Sequence, residues 1–391
     1  MTSGTQEQSD DIAYPSSIAF VLVHVGCLAL FLTGLTWRAV VLAIVLYFGR
    51  IFAIGAGYHR YFAHRAFRTS RVFQFCLAFL AQTSAQRGVL WWAAKHRLHH
   101  RHSDTAADVH SPVQRGFLYA HLGWIFVPRN GDTDYAVVRD LTRYKELMWL
   151  DRHPYLPAAL LGTATWLVAG WPGLVVGFCC STVVVWHATF SINSLAHLSG
   201  RQRYVTGDQS RNNWMLALLT MGEGWHNNHH AYQTSVRQGF RWWEYDPTYY
   251  ALRVLSWLGL VWDLHVPPKE VIRGEHRLGR LVIDKVACQL AASFPIDQIA
   301  NQVYDALAHT PGWTELKARI SSARTQAETF WSEIDLPVVP TLEDVRRCAR
   351  DRIAQTPSLE EIAVRARERL LELVYSQLSQ VATLPAKLSA T

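Results

Sequence analysis

The chain has 391 residues, half of them hydrophobic and only 18% charged, with 16 Trp and a net charge of +7. Its six Cys form no CxxC pair, and Cys27, Cys179 and Cys180 lie in apolar runs, which excludes a disulfide framework and a thiolate metal site. The positive excess lies in the first 274 residues, since residues 275–391 hold 14 Lys and Arg against 15 Asp and Glu; beside apolar runs it points to anionic headgroups or a phosphorylated substrate rather than to nucleic acid.

In chain order, the polar segment 1–16 is unlike a signal peptide. Residues 17–36 are apolar and long enough to span a bilayer. Arg38 interrupts, and 39–57 form a second span ending in Gly55-Ala56-Gly57, the two reading as an antiparallel hairpin. His59 and His64 follow, flanked by Arg60, Arg65, Arg68 and Arg71, a cationic flank that marks this side as cytoplasmic. The stretch from Val72 to Trp92 has the length of a span. Crossing would separate the histidines before it from those after it and would place Gln82, Thr83, Ser84, Gln86 and Arg87 in hydrocarbon, so it reads as a buried or interfacial helix. Residues 117–127 are too short to span, and 129–153 are a polar cytoplasmic connection. Tyr155 to Ala169 is the third span and Leu174 to about Ile192 the fourth, joined by Gly170-Trp171-Pro172-Gly173, a turn without Lys or Arg. Tyr249 to Trp262 is an interfacial or capping helix. Beyond Pro267-Pro268 the periodicity predicts soluble helices over 281–293, 296–309, 313–335, 341–355 and 358–382. This gives a polar segment 1–16, a membrane domain 17–268 and a helical extension 269–391 of unknown function.

Chemistry concentrates in four short motifs. Gly222-Glu223-Gly224-Trp225-His226-Asn227-Asn228-His229-His230 contains HxxHH, a spacing that sets three imidazoles on one face of a helical turn. Lys95-His96-Arg97-Leu98-His99-His100 is a second HxxHH, His59 to His64 an HxxxxH, and Asn193-Ser194-Leu195-Ala196-His197 places an amide four residues before an imidazole. Nine of the 18 His fall in these motifs, too many for one metal ion and enough for two. Imidazole ligates several first-row metals. Zinc has no redox chemistry, and hydrolytic two-zinc sites recruit Asp or Glu, which the boxes lack; the set suits oxygen activation on iron. Glu223 stands three residues before His226, but carboxylate-bridged di-iron bundles need further such motifs, so Glu223 reads as a residue that orients a ligand imidazole. His102, His110, His121 and His187 lie near the boxes, and His24, His153, His265, His276 and His309 stand apart from the metal.

HRYFAH, HRLHH, NSLAH and GEGWHNNHH, in this order, resemble the membrane fatty acyl desaturases, most closely the acyl-CoA Δ9 (stearoyl-CoA desaturase-like) class, over roughly residues 20–265 and including Arg115-Gly116-Phe117 and His121-Leu122-Gly123-Trp124. The resemblance implies an all-α integral membrane protein of four transmembrane helices under a cytoplasmic helical cap. It implies two irons held by His59, His64, His96, His99, His100, His197, His226, His229 and His230, with Asn193 holding one water. It implies an oxidoreductase that uses O2 and two electrons to set a cis double bond into a saturated acyl chain, with electrons from a separate ferredoxin, rubredoxin or cytochrome b5 type donor. Which histidines serve which iron is not readable from spacing. Lys95, Arg97, Arg101 and Arg115 are candidates for CoA phosphates, and Trp186 and Thr189 for the acyl tunnel. Tyr47, twelve residues before His59, is a candidate for its closed end. A hydroxylase or ketolase of the same His-box superfamily, or a non-catalytic lipid-binding membrane protein, are the alternatives.

Overall fold

The computed structural model describes residues 18–308, 331, 336 and 338–383. It divides into two compact units: the chain up to residue 204 together with 208–272, and residues 205–207 together with the chain from 273 onward.

In the first unit two helical runs, Trp37–Ala63 and Leu156–His197, are long and apolar enough to cross a membrane, and a shorter apolar helix, Ile18–Thr33, precedes them. The first turn comes earlier than the charge pattern suggests. The chain reverses at Gly34 (φ +71°), the Thr36 hydroxyl accepts from the Ala39 N–H at 3.3 Å, and helix α2 (Trp37–Phe52) starts there after α1 (Ile18–Cys27). Arg38 thus lies inside the first turn of α2, 5.7 Å from the Trp37 ring, rather than in the connection.

The second run of 42 residues would be about 63 Å long if straight, roughly twice the hydrocarbon thickness of a bilayer. It is not straight. The backbone leaves helical geometry at Ala169 and Gly170, and the chain folds back. A Cβ on Gly173 would stand 2.2 Å from the Thr165 carbonyl oxygen, and Gly162 admits the Phe178 ring at 3.4 Å, so the arms pack antiparallel at glycine contacts. Arg50, inside α2 and 2% exposed, donates to the Thr182 hydroxyl at 2.6 Å and to Ser181, tying the two long runs together. A guanidinium buried among apolar helices needs such partners.

The stretch from Val72 to Trp92 is two helices, α3 (Arg71–Gln82) and α4 (Val89–His102). The polar residues that spoke against a crossing make the break: Gln82 donates to the Leu150 carbonyl at 3.1 Å and accepts from the Val89 N–H, and Gln86 donates to the Thr189 hydroxyl. Beyond them come α5 (Leu156–Pro172), the π-helix Gly173–Cys180, α6 (Ser181–Ser194) and α7 (His226–Ala231). Phe62, Leu77, Leu90, Leu147, Leu150 and Leu252 form the core under the histidine boxes. The helix expected from Tyr249 runs Pro247–Trp257, and Val261–Trp262 then pairs as a short antiparallel strand with Arg68–Thr69.

The second unit packs α8 (Arg280–Ala292), α9 (Ile296–Ala308), α10 (Leu342–Arg352) and α11 (Leu359–Thr383) around Ile283, Leu290, Val303, Val345, Ile362 and Leu370. Thr341 and Asp344 form a capping box at the start of α10. The segment 1–16 and, Trp331 apart, the helix expected over 313–335 lie outside the described residues.

Helix α4, which carries three boxed histidines, has no capping side chain of its own at Gly88. Asp151 supplies one from outside, its Oδ1 accepting from the Leu90 and Trp91 N–H groups at 3.0 Å. A Cβ at residue 88 would lie 2.1 Å from that oxygen, hence the glycine. Loss of such a cap costs about 1–2 kcal/mol. Asp151→Ala should therefore lower the apparent Tm in detergent by several degrees; an unchanged Tm would show that α4 does not depend on it.

Candidate metal centre

The first box follows a winding that its spacing requires. In an α-helix, residues five apart diverge by about 140°. Residues 53–63 instead form a π-helix, in which the His64 N–H donates to the His59 carbonyl at 3.2 Å. One wide turn separates the two rings, whose centroids lie 5.0 Å apart.

The other two boxes are α-helical, and there the one-face expectation is refined. His96 and His100, four apart on α4, join His59, His64 and His229 in one group; His226 and His230, four apart on α7, join His99 and His197 in another. The middle histidine of each HxxHH crosses to the opposite group, since adjacent helical residues point about 100° apart. In each group the nearest ring nitrogens all lie within 4.8 Å of one another. Around the first group the Nε2 atoms of His59 and His229, His229 and His100, His100 and His96, and His96 and His64 approach to 2.9 Å. In the second, His197 and His226 approach to 3.1 Å.

Nitrogens meet this closely only where a proton or a cation stands between their lone pairs. The other faces of the rings decide which. His99 donates through Nδ1 to Asp108 at 3.0 Å, His197 to Asp104 at 2.8 Å, His230 to Asp208 at 2.8 Å, and His59 to Glu223. A proton fixed at Nδ1 leaves Nε2 as a bare lone pair aimed inward, the tautomer a metal ligand needs. The buried His230 Nε2 has no protein partner among the described residues. Two ligand atoms about 2.0–2.1 Å from one ion and at right angles would be roughly 2.9 Å apart. The donor set fits two first-row metal ions, one in a five-imidazole site and one in a four-imidazole site.

Burial would raise the four carboxyls, but the facing imidazoles outweigh it. Asp108, Asp208 and Asp104 are held below the usual carboxylate range, and His59 together with Arg60 brings Glu223 down to about 2. All four stay ionised at neutral pH. Glu223, expected from its place before the third box to orient a ligand imidazole, lies against His59 Nδ1. Asp104, Asp108 and Asp208 escaped the sequence reading, although the first two closely follow the second box.

Arg60 corrects a second expectation. It is not part of an exposed cationic flank but 1% exposed, donating to Glu223 at 2.8 Å, to Asp246 at 3.0 Å and to the Val236 carbonyl at 2.7 Å. Arg65, Arg68 and Arg71 are the exposed members, paired with Asp140, Asp263 and Glu146. The asparagines of the third box also face inward: Asn227 accepts from the Arg203 and Tyr204 N–H groups at 2.7 Å, and Asn228 donates to Glu244 at 2.8 Å. Gly222 (φ +114°) lets the chain enter α7 past Asp246, whose oxygen a Cβ would approach to 2.4 Å.

An apolar cavity opens beside the histidines. His96 and Asn193 line it near the metal groups, and Lys95, Thr189, Trp186 and Phe20 line the remainder. The other candidate substrate residues lie elsewhere. The Arg97 guanidinium is taken up by Asp140 and the carbonyls of Phe62, Ala63 and Val137, a strut inside the protein rather than a free cation. Arg101 is exposed on α4, and Arg115 lies over the Tyr119 ring at 3.9 Å. Tyr47 is not in the cavity wall; its hydroxyl donates to the Leu219 carbonyl at 2.8 Å, and its ring packs beside Ile51, Ile54 and Val185. Helix α2 turns that side toward the segment before the third box, so counting residues back from His59 did not find the cavity.

Residues 35–257 match the family model for fatty acid desaturases. An acyl-CoA 5-desaturase of Anemone leveillei is 37% identical over 279 residues, covering 68% of this chain and 83% of that protein. An sn-1 stearoyl-lipid 9-desaturase of Synechocystis is 37% identical over 255 residues, 64% of this chain and 79% of that one. A probable acyl-CoA desaturase of Schizosaccharomyces pombe is 34% identical over 300 residues, 72% and 60%.

Residues that orient metal-binding imidazoles typically contribute 10- to 100-fold to metal affinity. Asp208→Asn should accordingly weaken retention of one metal ion by about that factor in a chelator titration read by elemental analysis. Retention equal to wild type would show that His230 needs no anchor.

Proposed function

Because the chain belongs to the fatty acid desaturase family, we propose that it sets a cis double bond, at Δ9, into a saturated chain carried as an acyl-CoA. The observation that carries this reading is the pair of imidazole groups opening, at His96 and Asn193, onto an apolar cavity. The overall change removes two hydrogens from adjacent methylenes. With O2, two electrons and two protons it yields the alkene and two waters, the electrons coming from a separate ferredoxin, rubredoxin or cytochrome b5 type donor.

Two irons, when bound, supply the activation of O2. The protein does the rest. His59, His64, His96, His100 and His229 would hold one iron and His99, His197, His226 and His230 the other, with Asn193 the candidate to hold a water beside them. The carboxylates behind His59, His99, His197 and His230 keep the nitrogens inward and deprotonated. The cavity wall of Trp186, Thr189 and Phe20 excludes water and lays the chain past the histidines. Lys95, beside the cavity, is the candidate for a phosphate of the carrier.

In this reading Ile18–Thr33, Trp37–Ala63 and the two arms of Leu156–His197 are four crossings, with every box on the cytoplasmic side. Exposed Arg65, Arg68 and Arg71 follow the first box, whereas Gly170-Trp171-Pro172-Gly173 carries no cation, the asymmetry expected for inside and outside.

Purified without chelator, the protein should carry about two irons, matching the two imidazole groups, and convert stearoyl-CoA to a cis-monounsaturated product in the presence of O2 and a reducing donor. His229→Ala removes a ligand of the five-imidazole group and His99→Ala one of the four-imidazole group. Each should lower the iron content toward one and abolish product. Full activity in both would overturn the di-iron reading, and a hydroxylated product would move the chain to a different reaction of the same oxidant. Parallel assays with acyl-CoA and with acyl-lipid test the carrier.

A further inference from the structure

The cavity beside the histidines follows α6 away from the metal groups. Asn193 lines one end and Trp186 lies seven residues back on the same helix, about 10.5 Å at 1.5 Å per residue. At Trp186 it meets the first helix. The Phe20 ring stacks on Trp186 with centroids 4.9 Å apart and an interplanar angle of 21°, and meets Phe126 edge-on at 5.7 Å. Trp186 is fixed, its Nε1–H donating to the Ser84 carbonyl at 2.7 Å. Ala19, Phe20 and Val23 of the first helix form the wall from the other side, and Phe20 is the aromatic ring among them.

One turn beyond Phe20 the surroundings become polar. His24 Nδ1 donates to the Phe20 carbonyl at 2.8 Å, its Nε2 lies 3.3 Å from His187 Nε2, and His187 Nδ1 lies 3.0 Å from His121 Nε2. His121 in turn reaches the Ser194 hydroxyl at 3.0 Å. The three imidazoles and the Ser194 hydroxyl, which also donates to the Phe190 carbonyl at 3.0 Å, form one polar series ending on the Phe20 carbonyl. A hydrocarbon pushed into it would strand these groups without partners, which is costly away from water. The imidazoles also tie α1 to α6, which holds Phe20 against Trp186.

We propose that Phe20 is where the methyl end of the acyl chain stops, and that it sets the longest chain accepted, with the His24–His187–His121 series as a polar floor behind it. This rests on the reading of the cavity as the acyl site. An extended chain advances about 1.25 Å per methylene, so the distance from Asn193 to Trp186 holds roughly eight carbons beyond the oxidised pair, the length of a stearoyl tail cut at Δ9.

The test uses the full-length protein with saturated acyl-CoAs from myristoyl to behenoyl. Turnover is measured in competition, and thermal stabilisation by each length is measured separately because it requires no turnover. Phe20→Ala should raise the ratio of arachidoyl to palmitoyl product by about tenfold or more, leaving the double bond at the same position from the carboxyl end. Phe20→Leu should shift it less, and Phe20→Trp should shift it toward shorter chains. The length giving the largest stabilisation should move with the products. The same optimum length in wild type and the Leu and Trp variants, by turnover or by stabilisation, overturns the proposal even if the Ala variant fails to fold. Wild-type protein that forms no unsaturated product, yet shows a preferred length that moves with Phe20, overturns the desaturase reading and keeps the stop. Absence of both product and stabilisation at every length overturns both.

Discussion

The structure turns on nine imidazoles packed so closely that their inward nitrogens cannot also be proton donors. Lone pairs at 2.9 Å repel unless something positive lies between them, and buried groups have no water to relieve the repulsion. The protein settles the tautomer from behind. Four carboxylates, each ionised despite burial, hold the Nδ1 protons of His59, His99, His197 and His230. The loops that carry Asp104, Asp108 and Asp208 and the glycine-flanked Glu223 are therefore as much a part of the centre as the histidine helices.

The same demand explains the buried charge around the first and third boxes. Glu223 faces His59 on one side and Arg60 on the other, and Arg60 continues to Asp246, which also caps the helix Pro247–Trp257. Removing Arg60 would leave two buried carboxylates without their shared cation, the costly way to break a buried charge network. The network ties the π-helical first box to the strand-like entry of the third, so the two contribute to one five-imidazole group from opposite sides. Beyond the histidines, Arg50 with Ser181 and Thr182, and Gln82 with the Leu150 carbonyl, show the same pattern in apolar surroundings: each polar group inside is met by a polar partner on a different element.

Much of the centre was legible in the sequence. The boxes were readable because imidazole spacing is local, and HxxHH at three and four residues fits a helical turn. The apolar runs were readable because length and hydropathy are local too, and the polar residues between Gln82 and Arg87 signalled the break that separates α3 from α4. Even the π-helix left a trace: His59 and His64, five positions apart, would not share a face of an α-helix. The division of the histidines between two groups was not readable: the 100° step separates neighbours on one helix, but which rings meet across helices, His197 with His226 or His59 with His229, is set by the packing.

What the sequence by itself determined was the donor chemistry and the elements that carry it; the pairing across those elements was decided by tertiary structure alone. Asp104 reaches His197 across 93 residues and Asp208 reaches His230 across 22, and no periodicity relates such positions. Arg60 looks like its exposed neighbours in charge and differs only in which way the wide helix turns it. Counting along one helix made Tyr47 a candidate for the closed end of the tunnel, but the cavity is lined by Trp186 and Thr189 with Phe20 of the preceding helix, and Tyr47 lies outside that lining. Spacing fixes direction within a helix, but which helices meet, and at what depth, follows from how glycine contacts, aromatic stacking and buried polar pairs are satisfied together.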